Sequence, residues 1–201
     1  PHADLNPPSD RSDERAASSF AAGLRFNEIP SGRILDRGQF GMYANDFQQD
    51  GSLTPTHDSS FAFKKSWFFI DDYIVCLGSD IQCDDTSNDI VTTLFQGALN
   101  NTSDPMLLDN GSITAFPYSS TVPNGSHWLL DAYDTGYYIE ASQSLKLARR
   151  NQTSLQTDGT GSTSGDFAAA WFDHGKAPSG AGYEYVVKPS SDAANMQVFS
   201  T

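Results

Sequence analysis

The chain has 201 residues, of which 38% are hydrophobic and 12% aromatic. This balance is too apolar for a disordered segment and too polar for a membrane protein, and no apolar run approaches the ~20 residues that cross a bilayer. The 25 acidic and 12 basic residues give a formal net charge of −13. This charge argues against a nucleic-acid partner, because neutralising phosphates needs clustered Lys and Arg.

Two segments of the chain differ in composition. Residues 1–19 contain Pro7, Pro8 and a charged run over 10–15 but no hydrophobic periodicity, so they are predicted to be an extended arm or linker. From residue 20 onwards, short apolar runs alternate with Gly, Asn, Asp and Pro. This length suffices for one core, and we expect one folded domain over residues 20–201.

Nine apolar runs in the second segment have the length and composition of β-strands. They span residues 39–47, 61–69, 73–78, 89–98, 128–131, 136–140, 144–150, 166–172 and 183–188. Turn signals separate these runs, and no helical period lies between them. The sequence therefore predicts an all-β fold, an antiparallel β-sandwich. Residues 154–165, rich in Thr, Gly and Ser, are predicted to form a flexible loop.

The two cysteines, Cys76 and Cys83, are separated by six residues that include Gly78. Two interpretations stay open: a small disulfide loop closed across a turn, or a buried Cys76 that acts as an apolar residue in its strand. Asn-x-Ser/Thr sequons begin at Asn100, Asn101, Asn110, Asn124 and Asn151. This excess over chance favours a secreted protein, with N-glycosylation candidates at Asn101, Asn110, Asn124 and Asn151.

A loop between two predicted strands is rich in carboxylates, at Asp80, Asp84, Asp85 and Asp89. Clustered carboxylates suit Ca²⁺, which makes this loop the candidate site for calcium, and no other cofactor is indicated. The spacing does not follow an EF-hand, so a solvated acidic loop is the alternative interpretation.

Four motifs in order resemble polysaccharide lyase family 8. Residues 64–79 (KKSWFFIDDYIVCLGS) resemble the strand pair that opens the family's central β-sandwich, and residues 92–96 (TTLFQ) resemble its next core strand in chondroitin ABC lyases. Residues 128–131 with 136–137 are similar to a hairpin of the family, and 170–175 with 178 and 183–187 are similar to its closing signature. The resemblance covers about residues 39–188.

The resemblance implies a galactose-mutarotase-like supersandwich module from a secreted enzyme that cleaves uronic-acid polysaccharides, of the chondroitin or hyaluronan type, by β-elimination. In this family the main catalytic His, Tyr and Arg lie on a helical domain, and the sandwich lines the substrate cleft. The expected partners are a polysaccharide and a helical domain or partner chain that completes the cleft. No catalytic residue is expected in this chain, which alone is not expected to be catalytically competent.

One position departs from the family pattern. Many relatives have Glu immediately before the Thr-Thr pair, whereas this chain has Val91 before Thr92 and Thr93. Valine cannot accept a hydrogen bond or orient a catalytic base. The alternative function is therefore a non-catalytic module that binds glycans or assembles with further copies through exposed strand edges.

The resemblance also directs the choice of candidate site residues. Sugar rings stack on aromatic faces while polar groups bind their hydroxyls. The predicted substrate contacts are Trp171, His174, Tyr185 and Gln96, whereas Tyr183, Trp128, Trp67 and Phe69 are predicted to be packing residues. The candidates for binding a polyanion are Lys64, Lys65, Lys146, Arg149, Arg150 and Lys176, with ordinary surface charge as the alternative.

Overall fold

The computed structural model describes residues 17–22, 40–49, 59–140, 143–156 and 160–200. This part contains thirteen strands and one helix: β1 Ala17–Ala22, β2 Phe40–Gln48, β3 Ala62–Ile70, β4 Tyr73–Gln82, β5 Asp89–Ala98, β6 Met106–Leu108, β7 Gly111–Ile113, β8 Tyr118–Thr121, β9 His127–Leu130, β10 Gly136–Ile139, β11 Leu145–Leu155, β12 Ser162–Lys176, β13 Ala181–Lys188 and α1 Ala193–Phe199. The predicted all-β class is confirmed. None of the described segments forms a helix with the length and apolar character of a membrane span.

The strands form two antiparallel sheets that pack face to face. The large sheet has the order β1-β2-β3-β4-β13-β10-β9-β6-β7, and the small sheet has the order β5-β12-β11-β8. The core between them contains side chains from both sheets, among them Cys76, Phe95, Leu129, Ile139, Leu147, Ala170 and Phe172. Burying a large apolar side chain such as Phe172 contributes about 1.5–3 kcal/mol. The antiparallel β-sandwich predicted from the sequence is therefore present.

Strands β11 and β12 are longer than the sequence predicts. Half of the loop predicted over 154–165 is strand, since 154–155 belong to β11 and 162–165 to β12, and Leu155 pairs with Ser162. The backbone ladder needs no apolar side chains, so Ser, Thr and Gly continue the hairpin beyond the core. Strands β1, β6, β7 and β8 are short or polar and carry too little periodicity to be predicted. The three residues 17–19, assigned above to the arm, belong to β1.

Cys76 and Cys83 are both buried thiols that are not joined in a disulfide. Strand β4 continues from Tyr73 to Gln82 instead of turning at Gly78. Seven residues of extended chain separate two Cα atoms by ~20 Å, whereas a disulfide needs less than ~7 Å. The disulfide is therefore not formed. The structure supports the other interpretation, in which Cys76 is a buried apolar residue of the core.

A buried arginine fixes the segment over residues 99–114, which includes β6 and β7. Arg149 is 0% exposed, and its guanidinium donates to the carbonyl oxygens of Thr102 and Asp104 at 2.7 Å and to that of Ile113. Hydrogen bonds from a charged donor contribute about 1.5–3 kcal/mol each. Arg149 is therefore a structural residue of the interior, which corrects its assignment to a surface basic strip.

Helix α1 packs on the outer face of the large sheet through one methionine. Met196 is 0% exposed and forms a cluster with Trp128 and Leu130. The sheet provides space for its thioether at Gly136, where a Cβ would lie 2.1 Å from Sδ. Asp192 caps the helix by accepting a hydrogen bond from the backbone N–H of Asn195 at 2.7 Å. The helix position thus depends on a glycine in β10.

The contact between Gly78 and Tyr183 gives a test of the packing. A Cβ at Gly78 would lie 2.0 Å from the ring of Tyr183. We expect Gly78→Ala to lower the free energy of unfolding by about 1–3 kcal/mol, because the buried ring must move. Urea unfolding followed by tryptophan fluorescence measures this change.

The matched control is Gly41→Ala in β2 of the same sheet. There a Cβ would meet Phe69 at 3.7 Å, an ordinary contact distance. We expect Gly41→Ala to change the free energy of unfolding by less than ~1 kcal/mol. Equal losses in the two variants would show that the Tyr183 ring does not depend on Gly78.

Candidate functional site

The four predicted substrate contacts lie on two different faces of the sandwich. Trp171 lies on the outer face of the small sheet, where it clusters with Ala169. Gln96 lies on the same face, because it is the cross-strand partner of Ala169. His174 and Tyr185 instead face the space between the sheets. The structure therefore joins Trp171 with Gln96 and separates both from the other two residues.

Trp171 forms the centre of the outer face of the small sheet. Its ring packs against Ala148 of β11, Ala169 of β12 and Val91 of β5, and the residue is 8% exposed. The small side chains of the two alanines leave room for the indole to lie close to the sheet. The indole is thus a buried apolar group packed on the outer face of the sheet.

Two cationic side chains of β11 share the outer face with Trp171. Lys146 is the cross-strand partner of Trp171, and Arg150 lies four residues further along the same strand, ~13 Å away. The ammonium of Lys146 forms an ion pair with the carboxylate of Asp173. Burial alone would raise the pKa of Asp173, but hydrogen bonds from Lys146 and from the backbone N–H of Gly175 lower it. Of the predicted basic residues, Lys146 and Arg150 therefore share one face.

A glutamine that the sequence analysis missed completes this face. Nε2 of Gln96 donates to Oε1 of Gln152 at 2.7 Å, and Gln152 is 3% exposed. In the described part of the chain, Nε2 of Gln152 has no hydrogen-bond partner. The amide pair thus adds polar groups beside the indole. A glutamine in a polar run carries no sequence pattern, so only the fold reveals it.

The ring of His174 faces the space between the two sheets. Its Nε2 is 2.9 Å from Oγ1 of Thr92, and its ring stacks on Tyr183 with centroids 6.3 Å apart. Burial lowers the pKa of His174; Asp173 opposes this effect, and nearby Lys65 adds to it. The neutral ring is thus held by Thr92 and Tyr183, and sugar contact by His174 stays a prediction.

Tyr185 also belongs to the interior. Its ring packs 5.9 Å from Phe172 and 5.8 Å from Tyr183, centroid to centroid. Burial raises the pKa of the Tyr185 hydroxyl, and the neighbouring Cys76 thiol, with which it forms a hydrogen bond, raises it further. Tyr185 is therefore a half-buried residue whose ring packs against the core of the sandwich. Tyr183 and Trp128, predicted to be packing residues, are buried.

A cavity of about 320 Å³ lies on the large sheet and is lined by Val75, Leu77, Tyr138, Glu140, Glu184, Tyr185 and Val186. The side-chain hydroxyls of Tyr138 and Ser126 donate to Glu140 at 3.2 and 3.5 Å. Two carboxylates at this cavity repel a polyanion. The outer face of the small sheet is therefore the better candidate for an anionic ligand.

The carboxylates of the predicted acidic loop do not form a cluster. Asp80 pairs with Lys64 at 2.9 Å, while Asp85 accepts hydrogen bonds from the backbone N–H groups of Ser87 and Asn88 at 2.7 and 3.2 Å. No cluster of three or more His, Cys, Asp or Glu suited to a metal ion occurs among the described residues. The predicted calcium ligands Asp80, Asp84, Asp85 and Asp89 are thus dispersed.

The sequon asparagines Asn101, Asn110, Asn124 and Asn151 are all exposed. The side chain of Asn151 donates to Asp166 at 2.8 Å on the neighbouring strand. N-glycosylation at these positions stays a prediction.

The half-buried imidazole of His174 gives the fold a dependence on pH. Because the pKa of His174 is lower in the folded state than its ordinary value of 6.5, its stabilising contribution is complete above pH 6.5 and is lost as the pH falls below that value. We expect His174→Gln to reduce the fall in Tm between pH 7.5 and pH 5. Thr92→Val is the control. It removes the hydrogen bond but retains the titrating ring, so we expect it to retain the fall in Tm. An unchanged pH profile in His174→Gln would refute this role.

Comparison with known proteins places the fold in a family. The family model described as polysaccharide lyase family 8, super-sandwich domain, matches residues 31–200. The chain is 34% identical over 157 residues to a chondroitin sulfate ABC endolyase of Proteus vulgaris, covering 78% of this chain and 15% of the relative. It is 31% identical over 153 residues to a xanthan lyase of Bacillus sp. strain GL1, covering 68% of this chain and 16% of the relative.

Solved structures agree with this assignment. A chondroitinase AC lyase superposes with a TM-score of 0.61 at 30% identity, covering 78% of this chain and 22% of that one. A Paenibacillus xanthan lyase shares the fold with a TM-score of 0.67 at 23% identity, covering 82% of this chain and 16% of that one. The chain spans 15–20% of the length of the curated relatives that it matches. It belongs to polysaccharide lyase family 8, whose super-sandwich domain it contains.

Proposed function

We propose that the outer face of the small sheet forms one wall of the substrate cleft of a secreted polysaccharide lyase. The substrate is a uronic-acid polysaccharide of the chondroitin or hyaluronan type, cleaved by β-elimination. The observation that carries this proposal is the arrangement of Trp171, Gln96, Lys146 and Arg150 on a single face. The amide and the two cations are groups that bind sugar hydroxyls and carboxylates, while the indole, 8% exposed, supports them from beneath.

The reaction assigns different tasks to the two sides of such a cleft. β-Elimination removes the proton next to the uronate carboxylate and expels the glycosidic oxygen, which must be protonated. The wall described here binds the polymer and offsets its negative charge. We assign proton transfer to a helical domain outside these 201 residues. The names of the matched relatives, which include chondroitin, xanthan and hyaluronate lyases, support the substrate class.

Because the net charge is −13, binding of a polyanion depends on the cations that lie next to the bound polymer. A polyanion is repelled by the protein as a whole, but at physiological ionic strength this repulsion is screened within ~8 Å. Close contacts to Lys146 and Arg150 then dominate the interaction. Asp173 neutralises part of the charge of Lys146.

Substitution of the two cations tests the cleft wall. We expect Lys146→Gln and Arg150→Gln each to weaken binding of a chondroitin hexasaccharide about tenfold, because a charge-assisted contact of about 1.5 kcal/mol is lost. Isothermal titration calorimetry of the chain at low and physiological salt measures the effect.

Lys64→Gln is the matched control, because it removes the same charge from the large sheet, where Lys64 pairs with Asp80. We expect this variant to bind like the parent chain. If Lys64→Gln weakens binding as much as the other two, only net charge matters and the proposed wall is wrong.

Val91 favours a second function, that of a non-catalytic glycan-binding or structural module. Val91 packs its side chain against Trp171 on the proposed cleft wall, at the position where many relatives have Glu. It is also the cross-strand partner of Asp173. A wall with valine there still binds sugar, but it has no carboxylate at this position to orient a base.

Activity of the complete polypeptide separates the two functions. We expect it to release unsaturated uronate from chondroitin, measured by ultraviolet absorbance, and we expect Val91→Glu to raise the rate about tenfold or more. Val91→Gln is the control of equal size without charge and is expected to leave the rate unchanged. Absence of product from the parent and from Val91→Glu, with hexasaccharide binding retained, would support the non-catalytic module.

A further inference from the structure

The indole of Trp171 is too covered for a sugar ring to stack on it, since the residue is 8% exposed. Among the side chains that the structure describes, two aromatic residues are exposed, Phe69 at 44% and Tyr133 at 53%. Phe69 belongs to β3 of the large sheet. Tyr133 lies in the turn between β9 and β10, and this turn reaches the small sheet at the end of β5.

The ring of Tyr133 is held at the edge of β5 that faces away from β12. The backbone N–H of Leu99 donates to the carbonyl oxygen of Asp166 in β12 at 2.7 Å. Backbone groups of successive residues in a strand point to opposite sides, so the carbonyl of Ala98 points away from β12. The phenol hydroxyl of Tyr133 donates to this carbonyl oxygen. The hydroxyl therefore ties the outer end of the ring to the edge of the small sheet.

The ring lies close to the strand because one residue of β5 has no side chain. A Cβ at Gly97 would be 3.0 Å from Cε2 and 3.3 Å from Cδ2 of Tyr133. One side of the ring thus occupies the space that a side chain at position 97 would fill. With 53% of the residue exposed, the remaining ring surface faces solvent.

The turn that carries Tyr133 is itself fixed by hydrogen bonds. The carboxylate of Asp131 accepts from the backbone N–H groups of Tyr133 and Thr135 at 2.8 and 3.0 Å. The backbone carbonyl of Asp134 accepts from the N–H of Ser191, a buried residue, at 2.7 Å. Both ends of the side chain are therefore held before any ligand arrives. A ring fixed in advance loses little conformational entropy on binding.

The position of Tyr133 relates it to the cations of the cleft wall. Arg150, Phe167 and Ala98 are successive cross-strand partners on β11, β12 and β5. Two strand spacings, ~10 Å, separate Arg150 from Ala98, which is about the length of one disaccharide unit. Gln96, an exposed residue of the same wall, lies two residues before Ala98. A polymer that runs from Arg150 across β5 therefore reaches Tyr133 within about one disaccharide unit.

We propose that Tyr133 stacks on a pyranose ring of the polysaccharide where the polymer crosses the edge of β5, next to the sugar whose carboxylate Arg150 binds. This inference rests on the proposed function and adds a binding residue to it. The C–H groups of a pyranose pack on an aromatic face without any charge. The hydroxyl of Tyr133 is engaged by Ala98, so the side chain offers the sugar an apolar surface.

Replacement of the ring tests the stacking contact, with isothermal titration calorimetry of the chain and a chondroitin hexasaccharide as the measurement. We expect Tyr133→Leu to weaken binding about fivefold, because the aromatic face is lost. Tyr133→Phe keeps the ring and loses the hydrogen bond to Ala98, and we expect its affinity to stay within about twofold of the parent. The loss in Tyr133→Leu should be equal at low and physiological salt, whereas the loss in Arg150→Gln should shrink as salt screens its charge.

Nuclear magnetic resonance of the bound hexasaccharide gives a second measurement. The ring current of a stacked aromatic side chain shifts the C–H protons of the pyranose upfield. We expect this shift with the parent chain and with Tyr133→Phe, and we expect it to disappear with Tyr133→Leu. Binding to the parent chain without an upfield shift would refute the stacking contact, whether or not Tyr133→Leu folds.

Phe69→Leu is the matched control, because it removes an exposed ring from the large sheet. We expect this variant to bind like the parent chain. An equal loss in Phe69→Leu, or equal losses in Tyr133→Phe and Tyr133→Leu, would overturn the inference. Parent-like binding by Tyr133→Leu together with weakened binding by Arg150→Gln would refute the stacking contact and retain the cleft wall. A parent chain that does not bind the hexasaccharide would contradict both.

Discussion

The alternation of side chains along β12 is the constraint on which the rest of this structure depends. Ala168, Ala170 and Phe172 enter the core, while Ala169 and Trp171 point to the opposite side. A single strand thus holds the sandwich together and provides the centre of the candidate cleft wall. Because it is paired on both sides, neither set of side chains can shift without the other, and the wall is as rigid as the core.

The sequence is sufficient to predict nine of the thirteen described strands and the family, but not the composition of the site. Trp171 and His174 are three residues apart on one strand, and an odd separation places them on opposite faces. By this rule, the sequence alone places Trp171 and His174 on opposite faces. Gln96 shows the limit of the rule. Gln96 and Thr93 are also three residues apart, yet both face outward. The reason is that the register between β12 and β5 shifts between Ala170 and Trp171. No sequence pattern indicates that irregularity.

Neighbouring residues of like charge can serve entirely different purposes, as Arg149 and Arg150 show. Pleating directs Arg149 into the protein, where three backbone carbonyls bind its guanidinium, and directs Arg150 to the outer face. The sequence presents them as one basic pair. Their separation depends on the register of β11 against β12, which is a property of the folded sheet. In an acidic chain with 12 basic residues, the loss of one to the interior weakens any argument from charge counting.

The contact between Met196 and Gly136 has a chemical consequence for helix α1. The thioether occupies space that a side chain at position 136 would fill, and it is 0% exposed. Peroxide therefore reaches the sulfur only when the helix has left the sheet, and the resulting sulfoxide is too polar to return to that site. In an oxidising environment, a detached helix whose Met196 is oxidised thus stays off the sheet. The fraction of sulfoxide at this methionine would record how often the helix opens.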